Sequence, residues 1–120
     1  MMDRAKFETL IDKLIAGTER GVLEWKETDF TEKFAVQVGK ATIELESDSD
    51  SAADDFYSIV VKNEKLRSVD SDEVYESEDS PLYTKLNRLW LMARQRVLRI
   101  DETIEGILEN LDQRLAAKGR

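Results

Sequence analysis

Carboxylates and one tyrosine are the residues of this chain that could do acid–base chemistry. Glu24, Glu44 and Tyr57 fall on or near stretches of alternating apolar and polar residues, where two acids on neighbouring strands could face each other. Strand glutamates usually point to solvent, and the chain contains no histidine and no cysteine. The commonest general base and every thiolate nucleophile are therefore lacking. We expect no enzyme and keep a small carboxylate-dependent enzyme as the least favoured alternative.

Closely spaced acidic residues in the run 46–55 invite comparison with a calcium-binding loop. Counted from Asp48, such a loop needs glycine at its sixth position and glutamate at its twelfth, but Ala53 and Ile59 stand there. The acidic run 70–80 fails the same comparison. We read both runs as solvated loops and expect no metal and no cofactor.

The charge of the chain limits its partners. It has 26 acidic and 18 basic residues, a net charge of -8, which disfavours binding to nucleic acid or to an anionic membrane. An alternative function follows: an acidic inhibitor, such as an antitoxin, an immunity protein or a nucleic-acid mimic, whose two acidic runs bind a basic target. Neither a signal peptide nor a long apolar run is visible, so we expect a cytoplasmic protein.

Hydrophobic periodicity predicts an α+β fold in one domain covering residues 1–120. Apolar residues at steps of three and four predict an N-terminal helix that ends near Gly17, and a period of two predicts an antiparallel meander. We place both helices on one face of the sheet. The predicted elements are a helix at 4–16, four or five strands at 22–28, 33–38, 41–46, 56–62 and 65–69, and a long helix at 81–116.

Two possible turns constrain the order of the strands. A two-residue turn at Gly39-Lys40 pairs Val36 with Ile43 and places the apolar residues of both strands on one face. A weaker turn at Asn63-Glu64 would set Val61 opposite Leu66 and create the fifth strand.

The predicted C-terminal helix is longer than the sheet is wide. It begins at the capping pair Ser80-Pro81, and over 81–116 it would be roughly 50 Å long, against roughly 20 to 25 Å for five strands. The sheet cannot cover the whole apolar side of such a helix. The N-terminal helix, a second subunit or both must cover the rest.

The stretch 81–100 contains five basic residues and no acidic one. Its apolar side is expected to pack on the sheet, and a charged docking face of Lys85, Arg88, Arg96 and Arg99 lies opposite. The favoured interpretation is charge balance with the two acidic runs of the same chain. The alternative is a docking surface for an anionic partner.

Two leucines of this stretch fit neither side of the helix. Leu91 and Leu98, seven residues apart, form a second apolar stripe beside Arg94 and close to Met92. The N-terminal helix could cover this stripe, but we expect an interface between chains, with the remaining contacts made by the turns near 104–115. The expected partner is a second copy, in a homodimer, and an unidentified protein partner stays open.

The segments "LEWKET" and "SPLYTKLNRLWLMARQRVLRIDETIEGILENL" resemble small uncharacterised bacterial proteins with an N-terminal helix, an antiparallel meander and a long C-terminal helix. The resemblance implies a bacterial, cytoplasmic protein. It assigns no functional residue.

Overall fold

A computed structural model describes residues 3–49 and 54–118 of the chain. The predicted α+β class is confirmed: a helix, a five-stranded antiparallel sheet and two C-terminal helices follow one another along the chain. The elements are α1 (Arg4–Glu19), β1 (Trp25–Glu27), β2 (Lys33–Val38), β3 (Ala41–Ser49), β4 (Asp55–Lys62), β5 (Ser68–Tyr75), a short 3-10 helix (Glu76–Glu78), α2 (Pro81–Leu98) and α3 (Ile100–Lys118).

The strands follow chain order as a meander, β1 to β5. The predicted register at Gly39-Lys40 is confirmed, because Val36 pairs with Ile43 across β2 and β3. Gly39 has a φ of +62°, a value that glycine adopts without strain and that the first position of this turn requires.

Helix α1 is longer than predicted. Asp3 caps its start, since the backbone N–H of Ala5 donates to Asp3 Oδ1 at 2.9 Å. Gly17 does not end the helix. It lies inside α1, where an added Cβ would stand 2.8 Å from Leu23 Cδ1, so the position is needed for close packing. The turn out of α1 uses Gly21, with a φ of +73°.

The fifth strand is displaced from its predicted position at 65–69, and the two-residue turn at Asn63-Glu64 is wrong. Asn63 Oδ1 instead accepts hydrogen bonds from the backbone N–H groups of Lys65 and Arg67, which stabilises a longer turn. Lys62 consequently pairs with Ser68. Leu66 is exposed in the turn, and Val74 of β5 fills the core instead.

The two acidic runs are not simply loops. Most of run 70–80 belongs to β5 and the 3-10 helix, because backbone pairing with β4 tolerates charged side chains on an edge strand. In run 46–55, β3 continues to Ser49 and β4 begins at Asp55, while residues 50–53 lie outside the described residues.

The core lies between one face of the sheet and the helices α1 and α2. Buried residues from both helices join the inward side chains of all five strands in one cluster. Both tryptophans belong to this core and satisfy their indole N–H groups: Trp25 donates to Thr18 Oγ1 at 2.9 Å, and Trp90 donates to the carbonyl of Glu32 at 3.0 Å.

One carboxylate lies on the buried face of the sheet. Asp72 of β5 has a side chain that is 3% exposed, with Oδ2 at 3.2 Å from Arg4 Nε of α1. That contact lacks hydrogen-bond alignment, whereas Asp72 Oδ1 accepts from Arg4 Nη2 at 3.5 Å and from the backbone N–H of Glu73 at 2.9 Å. Arg4 also lies 3.4 Å from Glu78 Oε2, so this one guanidinium ties α1 to the last part of the sheet.

The predicted single helix 81–116 is wrong, because the chain forms two helices that meet at Arg99. Ser80 caps α2 as predicted, and Arg99 ends it in the left-handed conformation, with a φ of 50°. Helix α3 then leaves the body of the molecule. The radius of gyration is 17.9 Å, against roughly 14 Å for a compact chain of this length.

A carboxylate on the outer face of the sheet gives a test of the register. Glu44 Oε1 lies 3.2 Å from Lys33 Nζ and 3.0 Å from Lys62 Nζ. Desolvation raises the pKa of Glu44, but hydrogen bonds from Lys62 and Lys33 outweigh it, and the net pKa is lowered. The stabilisation is thus present at neutral pH and lost as pH falls through the lowered pKa.

We expect Glu44→Gln to lower the free energy of unfolding by about 1 kcal/mol at pH 7, and by less at an acidic pH below the lowered pKa of Glu44, where the native carboxylate is protonated. Urea unfolding at both pH values measures this. Glu24→Gln, at an exposed position, is the matched control. A loss that is equal at both pH values would contradict the ion-pair assignment.

Candidate interaction surface

Helix α3 presents an apolar stripe to solvent. Every residue from 101 to 118 is exposed. Five large apolar side chains at helical spacing are between 49% and 70% exposed along one side; we call them the α3 stripe: Ile104, Ile107, Leu108, Leu111 and Leu115.

A helix that packs on no other part of the molecule lacks the contacts that usually stabilise helices in proteins. Isolated helices shorter than about 12 to 15 residues are marginal in water even with favourable sequences, and longer helices in proteins are still stabilised mostly by packing of an apolar face. Helix α3 has 19 residues, includes Gly106 and buries none of its side chains. Its stability therefore calls for a partner along the stripe.

The predicted interface residues on α2 form a second exposed surface. Leu91 and Leu98 are 50% and 40% exposed, so helix α1 does not cover them. Arg94 lies between them at spacings of three and four and is half-buried. We call Leu91, Arg94 and Leu98 the α2 patch. Met92 is partly buried against the core and is only in part available to a partner.

The predicted charged docking face is divided. Lys85 Nζ lies 2.8 Å from Glu8 Oε1 and 2.9 Å from Asp12 Oδ1, and these hydrogen bonds raise the pKa of Lys85. Arg88 pairs with Glu19. The partners of both residues lie on α1, so charge balance within the chain is present but does not come from the acidic runs as predicted.

Three arginines of α2 and its end differ from Lys85 and Arg88. Across residues 3–49 and 54–118, no ion pair involves Arg94, Arg96 or Arg99. Arg96 and Arg99 are exposed and line an open cleft of about 1000 Å³ in the angle between α2 and α3, together with Leu91, Met92 and the carboxylates Asp101 and Glu102. Unpaired cations beside apolar side chains suit a partner that brings both carboxylates and apolar groups.

The residues with acid–base potential do not converge. Glu44 lies on the outer face of β3, whereas Tyr57 lies on the buried face of β4, and Glu24 is exposed before β1. Burial raises the pKa of Tyr57 to about 12, and its hydroxyl donates to Asn87 Oδ1 at 2.5 Å. These three residues therefore form no common site.

In the described part of the chain, no three metal-ligating side chains come together, and residues 50–53 of the acidic run 46–55 lie outside the described residues. None of the helices described has the length and apolar content needed to cross a bilayer.

Sequence reasoning found part of this surface and missed part. It singled out Leu91 and Leu98, which are exposed, and it expected contacts near 104–115, but it treated 104–115 as the end of one continuous helix 81–116. It overlooked Leu108 and Leu115, whose spacing of seven residues indicates a further row of apolar side chains. Together with Ile104, Ile107 and Leu111, these two leucines form one broad apolar side of a separate helix.

Comparison of the chain with protein-family models, curated proteins and solved structures finds no match. The resemblance to small bacterial proteins stays a prediction.

A substitution at Gly106 tests whether the polar side of α3 is exposed to solvent or contacts another chain. An added Cβ at Gly106 meets nothing within 4 Å, and the residue lies opposite the α3 stripe. We expect Gly106→Ala to stabilise helix α3 by about 1 kcal/mol and so to increase its helicity. Self-association should be at least as strong as in the unmodified protein. Circular dichroism and sedimentation velocity measure the two effects. Weaker association would mean that another chain approaches Gly106 closely.

Proposed function

We propose that this chain is a non-enzymatic interaction module that self-associates as a homodimer through α3. The observation that carries the proposal is the α3 stripe, five large apolar side chains on a helix whose residues 101–118 are all exposed. Large exposed apolar surfaces on a folded chain usually mark an interface. The α2 patch lies next to the same cleft and extends the surface.

The energetics favour a partner that covers the full stripe. A fully buried leucine contributes about 2 kcal/mol, so a half-exposed one has about 1 kcal/mol left to gain. Two copies would bury ten such side chains from their stripes, or about 10 kcal/mol, against an association cost of about 4 to 15 kcal/mol. The two leucines of the α2 patch in each copy add to the favourable side.

A second copy is the simplest partner. Closed two-fold dimers are the commonest oligomers of soluble proteins, and each copy brings the same unpartnered stripe. The absence of convergent acid–base residues among those described leaves the apolar surface as the prominent feature of the molecule.

Co-purification of two differently tagged copies tests this proposal. The two forms are produced together, one is captured by its tag, and the other is quantified in the eluate. We expect roughly equal amounts of both forms after correction for like-tagged pairs. Capture of the tagged form alone, at micromolar concentration and physiological salt, would argue against self-association.

A further inference from the structure

We infer that the second copy lays its α3 stripe along the α2 patch of the first, and that the first copy does the same in return. This inference rests on the proposed self-association and specifies which surfaces meet. In this arrangement, carboxylates beside the α3 stripe face Arg94 and Arg99 of the other copy.

The charges of the two surfaces are complementary. Between residues 101 and 112, α3 carries only acidic charges, at Asp101, Glu102, Glu105, Glu109 and Asp112. Between residues 81 and 100 the chain carries only basic charges, and among the described residues Arg94 and Arg99 have no ion pair. Opposite potentials across an interface set its orientation and favour the correct partner.

The apolar spacings also match. Leu91 and Leu98 are seven residues apart, or about 10.5 Å along the helix. Two pairs in the α3 stripe repeat at the same interval, Ile104 with Leu111 and Leu108 with Leu115. Both leucines of the α2 patch can therefore meet an apolar partner on one helix.

The α2 patch cannot be covered by α3 of its own chain. Only Arg99 separates α2 from α3, whereas two antiparallel helices packed as a hairpin need a loop of about two to five residues. The α3 stripe must therefore find its partner surface on another molecule, and a second copy offers the same cationic, apolar α2 patch.

Direct antiparallel pairing of α3 with α3 is less favourable. Glu105 and Asp112, seven residues apart, lie on the same flank of the α3 stripe. In an antiparallel pair of identical helices related by a two-fold axis, a given flank of one helix faces the same flank of the other. The carboxylates of one copy would therefore face those of its partner. Like charges in such positions are destabilising. The reciprocal α3–α2 arrangement avoids this and closes after two copies, which limits assembly to a dimer.

Charge reversal tests which surfaces meet. We expect Arg94→Glu with Arg99→Glu to raise the dissociation constant at least about tenfold, because symmetry places each reversal in the dimer twice. Glu105→Arg with Asp112→Arg should weaken the dimer similarly. The variant that carries all four reversals should regain most of the affinity. Lys65→Glu with Arg67→Glu, two exposed cations in the turn before β5 and outside α2 and α3, is the control of equal charge change.

Sedimentation equilibrium at low salt measures each dissociation constant, and the unchanged fluorescence of buried Trp25 and Trp90 verifies the fold. If the unmodified protein dimerises and the Arg94/Arg99 variant dimerises equally well, the α3–α2 arrangement is overturned while the proposed function stands. The arrangement is also overturned if the four reversals together are no better than either pair. If the unmodified protein is a monomer, the proposed function itself fails.

Discussion

Replacing Leu108 and Leu111 by glutamate is expected to convert the dimer into a monomer. Four leucines would be lost from each dimer, at about 1 kcal/mol apiece, and the dissociation constant should rise by about 1000-fold. The introduced carboxylates would have to be desolvated in any remaining interface, which increases the effect. Sedimentation velocity over a hundredfold range of protein concentration measures the change.

The body of the molecule should stay folded in this variant, because both leucines are about half exposed and neither belongs to the core. Fluorescence of Trp25 and Trp90 reports on the body without reporting on α3. Val22→Glu with Val69→Glu is the matched control, since these valines are 74% and 60% exposed and lie elsewhere. A control as disruptive as the α3 variant would mean that general surface charge, not the stripe, governs association.

Arg4→Met is expected to be the most destabilising change at an ion pair. It would leave the carboxylate of Asp72, with a side chain 3% exposed, on the buried face of the sheet without its cation. Loss of one partner of a buried pair costs several kcal/mol, and since Arg4 is 37% exposed we expect a loss of about 2 kcal/mol. Urea unfolding at pH 7 and a fixed protein concentration measures it.

A second substitution separates the ion pair from the packing of Arg4. Combining Arg4→Met with Asp72→Leu should recover most of the lost stability, since Asp72 lies opposite Ile59 on the apolar face of the sheet. Arg67→Met is the control at an exposed arginine outside the proposed interface and without an ion pair among the described residues, and we expect it to change stability by less than about 0.5 kcal/mol. If the double variant is no more stable than Arg4→Met, the contribution of Arg4 is packing and not charge.

The parts of the fold that sequence predicts well are those in which two local signals agree. At the β2–β3 hairpin, the glycine of the turn and the alternation of Phe34, Val36, Ile43 and Leu45 require the same register. The caps of α1 and α2 were similarly readable, because Asp3 and Ser80 are capping residues that stand directly before apolar periodicity.

The errors occurred where tertiary contacts override local composition. Strand β5 has the composition of a solvated loop, and only pairing with β4 and burial of Val74 make it a strand. The longer turn depends on the side chain of Asn63, which a count of turn residues does not reveal.

The sequence indicated that an exposed apolar surface would exist, but it did not indicate which helix carries most of that surface. The excess length of the C-terminal helices over the sheet indicated that an apolar stripe would remain uncovered. Neither proline nor glycine marks the break at Arg99, so the sequence gives no sign that α3 leaves the body. The break moves the centre of the surface from the α2 patch to the α3 stripe.

Sedimentation equilibrium of the unmodified protein tests the central claim most directly. The chain has a mass of 13.8 kDa, and we predict a monomer–dimer equilibrium that approaches 27.6 kDa, twice that value, at high micromolar concentration. The dimer should persist at high salt, because apolar burial supplies most of the free energy and charge pairs mainly orient the two copies. A mass that stays at 13.8 kDa throughout this concentration range would contradict self-association through α3.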